Sequence, residues 1–298
     1  MHQYQVKVVN LLINKDFELS LNNLKIKIIP DRNFNIESII KEDDDSSILI
    51  PIVGAELCVE SIDAADTQLN ISDVKNTLKY ICELLSFISS SSVAEHAFWI
   101  NEKPPILLSQ SLSPARLVRR HRCPIFSYDE TDKIKDFLEQ TYCKYVELRD
   151  CRELNVAIDY YVLSDKPGTP LEVKLIILCI LLENLKYTFA MEQKFPFKGG
   201  KFKYCKKDLS FKDLLEMMLT QVGMTLLDMQ RIIDLRNDLL HSGLTLRSST
   251  DAKMKQTNEM QKQYEEIKSI IQEYILRLLG YKGKYRSYQN LCEEVEIQ

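Results

Sequence analysis

The spacing of apolar and polar residues changes along the chain. In the first part, β-branched residues recur in partial alternation, which predicts strands over Tyr4–Ile13, Leu24–Ile29 and Ser47–Ser61. From Ser72 the apolar residues take helical spacing, which predicts amphipathic helices. These cover Ser72–Ile88, Thr131–Leu148 and Glu153–Leu163, with a return to strand over Ala97–Leu108.

The clearest break in the chain is Ser164–Pro170, which holds two prolines and one glycine. Almost everything after it has helical spacing. Helices are predicted over Leu171–Ala190, Phe211–Leu219, Thr225–Ser242 and Ala252–Leu279. The predicted fold class is α+β, with a mixed β/α sensor or regulatory domain over residues 1–165 and an all-α bundle over residues 166–298.

Charge differs between the two parts. Asp165–Gln298 carries 21 Lys and Arg against 18 Asp and Glu, whereas the preceding residues carry 18 against 25. A phosphate-bearing partner therefore suits the second part better.

The apolar runs and the cysteines bear on the compartment. The most apolar run, Leu171–Ala190, contains four charged residues, so we expect a core helix and no membrane span. No leader is expected at the N-terminus. The eight cysteines show no CxxC pair, which favours free thiols and a cytoplasmic protein without a metal or cofactor.

Candidate chemistry is concentrated in the segment Leu235–Gly243. Arg236 precedes His241 by five residues near the end of a predicted helix, and Asn237 follows the arginine. A guanidinium can hold a phosphate and offset charge that develops on it. An imidazole can take a proton from a ribose 2′-OH or give one to the leaving oxygen.

The spacing alone is weak, because Arg116 and His121 repeat it. That second pair lies between Pro114 and Pro124, where a helix has little room. A structural interpretation also stays open for the first pair: the helix dipole favours a histidine in the last turn, and Arg236 has Asp234 and Asp238 nearby for ion pairs.

The segment LRNDLLHSG, which follows a nearly all-apolar helix containing Glu183, resembles the signature of the HEPN superfamily, and more narrowly that of the ApeA-like HEPN proteins of antiphage defence. The resemblance covers roughly Pro170–Leu279. It implies a four-helix unit that dimerises and cleaves RNA without a metal. Arg236 would then polarise the phosphate, His241 would be the acid or base, Asn237 would orient either group, and Glu183 would match a polar position of the preceding helix.

A basic segment, Lys194–Lys207, contains six lysines and four aromatic residues, which suits single-stranded RNA. Gly199 and Gly200 predict a mobile loop, and a solvated loop with its rings in the core is the alternative. The RNA-binding candidates are Lys198, Lys201, Lys203, Lys206 and Lys207. A second cluster, formed by Arg116, Arg119, Arg120, His121 and Arg122, either contacts RNA from the first domain or pairs with the acids of that domain, and the second alternative is favoured slightly.

The leading hypothesis is an endoribonuclease of the antiphage or toxin type, acting on tRNA or mRNA as a homodimer. Its control by a phage-derived trigger or an antitoxin follows from the toxicity of unregulated cleavage. The alternative is a non-catalytic HEPN module for dimerisation or for nucleotide or RNA binding. A small-molecule enzyme in the first domain has no motif in its favour.

Overall fold

The computed structural model describes residues 4–31, 53–61, 70–100, 104–110, 123–225, 229–242, 250–289 and 292–297. The side chains at 53, 54, 61, 238, 240–242 and 250–256 lie outside that description. The chain divides into two compact units, Met1–Tyr145 and Val146–Gln298. This division falls one helix before the break at Ser164–Pro170.

The first unit is built on a six-stranded antiparallel sheet of order β2-β3-β4-β1-β5-β6. Its strands are β1 (Tyr4–Val9), β2 (Phe17–Leu21), β3 (Leu24–Pro30), β4 (Val53–Ser61), β5 (Ala94–Ile100) and β6 (Ile106–Gln110). Strict alternation in β2 (FELSL) buries every second residue. Asn22 and Asn23 join β2 to β3 with positive φ at both positions, as a two-residue hairpin turn requires.

Helix α1 (Ile71–Ser89) packs against β5. Asn70 caps it, since its Oδ1 accepts the Ser72 N–H at 3.0 Å. The helix ends where Ser90 adopts a left-handed conformation. Its buried stripe includes Leu78, Ile81 and Leu85. Helix α2 (Thr131–Leu148) begins in the first unit and has the predicted bounds.

The second unit is mainly helical. Its helices after α2 are α3 (Leu154–Leu163), α4 (Leu171–Glu192), α5 (Phe211–Gln221), α6 (Met229–Ser242) and α7 (Thr250–Leu278). Helix α4 contacts all four of the others, which places it at the centre, as its nearly all-apolar sequence predicts. The α+β fold class is therefore confirmed.

The second unit departs from the prediction of an all-α bundle because it also contains two small antiparallel sheets. One pairs β10 (Gly283–Arg286) with β11 (Glu294–Ile297). The other is a meander of β7 (Phe197–Lys198), β8 (Lys201–Tyr204) and β9 (Lys207–Asp208), which we call the basic meander. Its strands of two to four residues are too short to give a periodic signal.

A buried ion pair ties α7 to the turn after α3. Lys268 Nζ lies 2.9 Å from Asp165 Oδ2 and donates to Ser164 Oγ at 2.8 Å, and the lysine side chain is fully buried. Tyr264 and Tyr288 both donate to Asp165 Oδ1. Removal from water lowers the pKa of Lys268 to about 8 against the opposing effect of Asp165.

The structure also bears on two expectations from the sequence, which concern membrane-spanning helices and the state of the cysteines. Within the described ranges, no helix is both long and apolar enough to cross a membrane. Six of the eight cysteines are free thiols, as expected, whereas Cys123 and Cys292 are disulfide-bonded, so the expectation of free thiols is wrong for these two.

Candidate active site

Arg236 lies at the edge of the buried face of α6. Leu235 and Leu239 on that helix are buried, and the side chain of Arg236 keeps 24% of its surface exposed. The amphipathic spacing that packs α6 against α4 therefore sets the guanidinium at the boundary between core and solvent.

Glu183 of α4 holds this guanidinium. Its Oε1 accepts two N–H groups of Arg236, from Nε at 3.0 Å and from Nη2 at 2.7 Å. Arg236 Nη1 donates to Asn237 Oδ1 at 2.8 Å. Glu183, Arg236 and Asn237, all singled out from the sequence, thus form one hydrogen-bonded group. Glu183 is 53 positions away from Arg236 along the chain.

The pattern of donors leaves part of the guanidinium open. Arg236 has five N–H donors, of which Glu183 and Asn237 take three. The remaining two (5 − 3) are not used by any residue whose side chain the structure describes. As far as the described side chains are concerned, an anion could reach these two donors, because the arginine side chain is partly exposed.

Lys186 and Phe211 complete the group, and sequence reasoning missed both. Lys186 Nζ lies 2.5 Å from the other oxygen of Glu183. The ring of Phe211, the first residue of α5, lies 5.3 Å from the Arg236 guanidinium and 4.7 Å from Lys186 Nζ. The i,i+3 spacing of Glu183 and Lys186 was a usable signal. Phe211 offered none, because only the fold brings α5 to this place.

The group carries a net charge of +1, since Arg236 and Lys186 outnumber Glu183. Phe211 covers the cations with an aromatic face and supplies no counter-charge. The group can therefore attract a phosphate at a partly desolvated place, where charge-assisted hydrogen bonds are strongest.

Cys179, one turn before Glu183, does not supply a nucleophile. Burial raises the pKa of its thiol to about 12, although the nearby positive charge of Arg236 acts in the opposite direction. Since the thiolate is the reactive form, Cys179 is inert at neutral pH.

His241 lies in the last turn of α6, and its side chain is outside the described part of the structure, as is that of Asp238. Five residues of helix separate the backbones of Arg236 and His241 by about 7.5 Å along the axis. The predicted pairing of the two side chains stays a prediction.

Short paired strands occupy the basic segment where a loop was predicted. The predicted mobility of the Gly199-Gly200 turn stays a prediction. Gly199 and Gly200, with φ of 63° and 76°, make the two-residue turn between β7 and β8. Phe202 is buried and its ring lies 4.8 Å from that of Phe197 on the paired strand. This packing holds β7 and β8 together.

The five candidate lysines do not share one environment. Asp208, just beyond the segment, lies 3.0 Å from Lys203 Nζ and 3.9 Å from Lys201 Nζ. Lys198, Lys206 and Lys207 are exposed and form no ion pair with the described residues. The second basic cluster, Arg116 to Arg122, lies outside the described residues.

Comparison with known proteins gives one family match. The family model described as the YopA C-terminal domain matches residues 149–296, and these residues nearly coincide with the second unit. No curated protein matches the chain. No solved structure matches it either. The chain is thus similar to the YopA C-terminal domain over its second unit.

Proposed function

We propose that the second unit is an endoribonuclease that cleaves RNA without a metal, by attack of a ribose 2′-OH on the adjacent phosphate. The observation that carries the proposal is the joining of Glu183, Arg236 and Asn237 into one group, in which two guanidinium donors have no partner among the described side chains. The resemblance of Leu235–Gly243 to HEPN ribonucleases supports it.

Each residue has a defined role in this mechanism. Arg236 binds the scissile phosphate through its two remaining donors and stabilises the charge that develops in the transition state. Glu183 and Asn237 fix the orientation of the guanidinium, and Lys186 adds positive charge beside it. His241 transfers the proton at the 2′-oxygen or at the leaving 5′-oxygen.

The proposal includes the setting in which the reaction occurs. The enzyme is a cytoplasmic homodimer that acts on tRNA or mRNA in antiphage or toxin-type defence. The first unit serves as its sensor, and a phage-derived trigger or an antitoxin controls the cleavage.

A second candidate function is a non-catalytic HEPN module for dimerisation or for nucleotide or RNA binding. The ion pair of Arg236 with Glu183 favours it, because the same contact clamps α6 to α4 and gives the arginine a structural reason to be present. The two candidates differ in whether His241 is required for a chemical step.

The deciding experiment incubates tRNA and mRNA with the full chain in EDTA and identifies the product ends. We expect 2′,3′-cyclic phosphate ends with wild type, and loss of at least about 100-fold in rate with His241→Asn, on the scale of general acid–base catalysis. Added imidazole should restore part of the rate of His241→Ala. Arg231→Ala is the matched control: Arg231 lies on the same helix but pairs with Glu259 and Glu266.

Two results decide against the nuclease. Equal rates for wild type and His241→Asn would exclude the proposed mechanism. RNA binding without cleavage by any preparation would favour the binding module. Far-UV circular dichroism of each variant separates loss of chemistry from loss of folding.

A further inference from the structure

Two aromatic rings of the second unit are exposed although their neighbours hold them in place. Tyr187 of α4 is 45% exposed and Phe197 of β7 is 54% exposed. Their rings lie 6.3 Å apart in an edge-to-face arrangement. Phe202 is buried beneath both, with its ring 5.3 Å from Tyr187 and 4.8 Å from Phe197. The two rings, which we call the aromatic platform, lose little conformational freedom when a ligand stacks on them.

The platform is close to the candidate active site. Tyr187 follows Glu183 by four residues on the same helix, so their side chains are neighbours with Cβ atoms about 6 Å apart. Glu183 in turn holds Arg236. A ligand that stacks on Tyr187 therefore lies one helical turn from the guanidinium.

The charges around the platform favour a polyanion. Lys198 follows Phe197 directly and pairs with Lys201 across the turn, and both are exposed. Lys194, at the end of α4, is also exposed. The nearby acid, Asp208, is already occupied by Lys203, whose hydrogen bond lowers the pKa of that carboxyl. Phosphates would thus meet Lys198 on β7 and Lys201 on the paired strand β8.

The other end of β8 provides a contrast. Tyr204 is as exposed as Phe197, at 53%, but it lines a cleft of about 560 Å³ together with Lys207, Asp213 and Glu216. Hydrogen bonds from Ser210 lower the pKa of Asp213, so this carboxylate stays charged. The two acids of the cleft outnumber its one lysine, so Tyr204 is an equally exposed ring in a setting that favours a polyanion less than the platform does.

We propose that the aromatic platform stacks unpaired bases of single-stranded RNA next to the phosphate that Arg236 holds. Flat exposed rings beside lysines bind single strands because bases can stack while phosphates pair with the cations. This inference rests on the proposed ribonuclease function, and it names the substrate as single-stranded at the cleavage site. A duplex keeps its bases stacked on one another and cannot use the platform.

The test measures binding of a fluorescein-labelled 12-nucleotide single strand by anisotropy, in the His241→Asn full chain so that the RNA survives. We expect Tyr187→Ala and Phe197→Leu each to weaken binding about tenfold, the scale of one base–aromatic stack. Phe197→Tyr and the control Tyr204→Ala should stay within about threefold. The same RNA annealed to its complement should bind at least tenfold more weakly than the single strand.

Several results would overturn the inference. One is unchanged binding in Tyr187→Ala and Phe197→Leu, and another is an equal loss in Tyr204→Ala. A shift from dimer to monomer in sedimentation of Tyr187→Ala, with RNA affinity unchanged, would assign the platform to a second copy of the chain. Binding of anionic vesicles that is lost in Phe197→Leu, with RNA binding intact, would assign it to a membrane surface.

The failure of this inference is distinguishable from that of the proposed function. If the wild type cleaves RNA and Tyr187→Ala cleaves it at the same rate, the platform proposal fails and the proposed nuclease function stands. If single strands bind in a way that depends on the platform but no preparation cleaves them, the proposed nuclease function fails and the RNA-binding surface stands.

Discussion

The position of Glu183 between two cations makes a measurable prediction about stability. Its carboxylate accepts two hydrogen bonds from Arg236 and lies 2.5 Å from Lys186 Nζ. With 24% of the Arg236 side chain and 29% of that of Glu183 exposed, the group is mostly withdrawn from water. Removing the carboxylate leaves two cations beside the ring of Phe211 without their counter-charge.

The magnitude follows from these contacts. A hydrogen bond to a charged group contributes about 1.5–3 kcal/mol when buried, and less when solvent screens it. We therefore expect Glu183→Ala to lower the free energy of unfolding of the second unit by about 2–3 kcal/mol. Glu183→Gln, which keeps an acceptor oxygen for Arg236, should cost about half as much.

The assay must separate the two units. Trp99, the single tryptophan, lies on β5, so its fluorescence reports unfolding of the first unit. Far-UV circular dichroism at helical wavelengths, followed in urea, reports mainly the second. Glu216→Gln is the matched control, since Glu216 is exposed on α5 and forms no ion pair with the described residues; it should change stability by less than about 0.5 kcal/mol.

A double-mutant cycle isolates the Arg236–Glu183 contact. The costs of Glu183→Ala and Arg236→Ala should be non-additive by about 1–2 kcal/mol, because each variant alone leaves the other residue without this partner. Additive costs within about 0.3 kcal/mol would refute the claim that this pair is coupled. A fluorescence transition that moves with Glu183→Ala would refute its confinement to the second unit.

Three further predictions concern stability. Folding lowers the pKa of Lys268 to about 8, whereas the unfolded chain keeps this proton up to a pH of about 10.5. The free energy of unfolding of wild type, relative to that of Lys268→Met, should therefore rise between pH 8 and pH 10. In urea titrations the rise should be at most about 1.4 kcal/mol per pH unit. Phe202→Ala should lower the free energy of unfolding by about 3–4 kcal/mol in the same titrations, because the buried ring supports the basic meander. Gly199→Ala should cost about 1 kcal/mol because φ is positive there, whereas Lys206→Gly, also at positive φ, should be neutral or slightly stabilising.

Long periodic segments were predictable from the sequence. Helix α2 has the bounds that its apolar spacing predicts, and α4 is central because apolar residues surround nearly its whole circumference. In each case many residues contribute to one pattern, so a local irregularity changes little. Helix α4 is nonetheless not buried all round, since Tyr187 on the same helix is half-exposed.

Short elements were not predictable in the same way. The strand β2 has five residues, and the strands of the basic meander have two to four. What defines them is turn chemistry, with positive φ at Asn22-Asn23 and at Gly199-Gly200. The glycine pair between Phe197-Lys198 and Lys201-Phe202 was a hairpin signal, and the prediction of a loop did not use it.

Three residues of the candidate site were named from the sequence, but their contacts were not. Glu183, Arg236 and Asn237 were singled out together, but no sequence pattern states that one carboxylate oxygen accepts two N–H groups of an arginine 53 residues away. Phe211 joins the group because the basic meander returns the chain so that α5 begins beside α4. Such contacts depend on the packing of three helices.

Two arginines of the second unit show what separates a structural ion pair from a candidate binding site. Arg152 is fully buried, pairs with Glu192 at 2.5 Å and donates to Tyr274, while its guanidinium lies 5.4 Å from the ring of Phe189. Arg236 has the same kinds of partner, a carboxylate and a phenylalanine ring, but it reaches solvent. A ligand cannot approach Arg152 without unfolding its surroundings, whereas a phosphate can reach Arg236 without breaking its bonds to Glu183. Accessibility, and not the ion pair itself, therefore makes Arg236 the residue on which a reaction can be built.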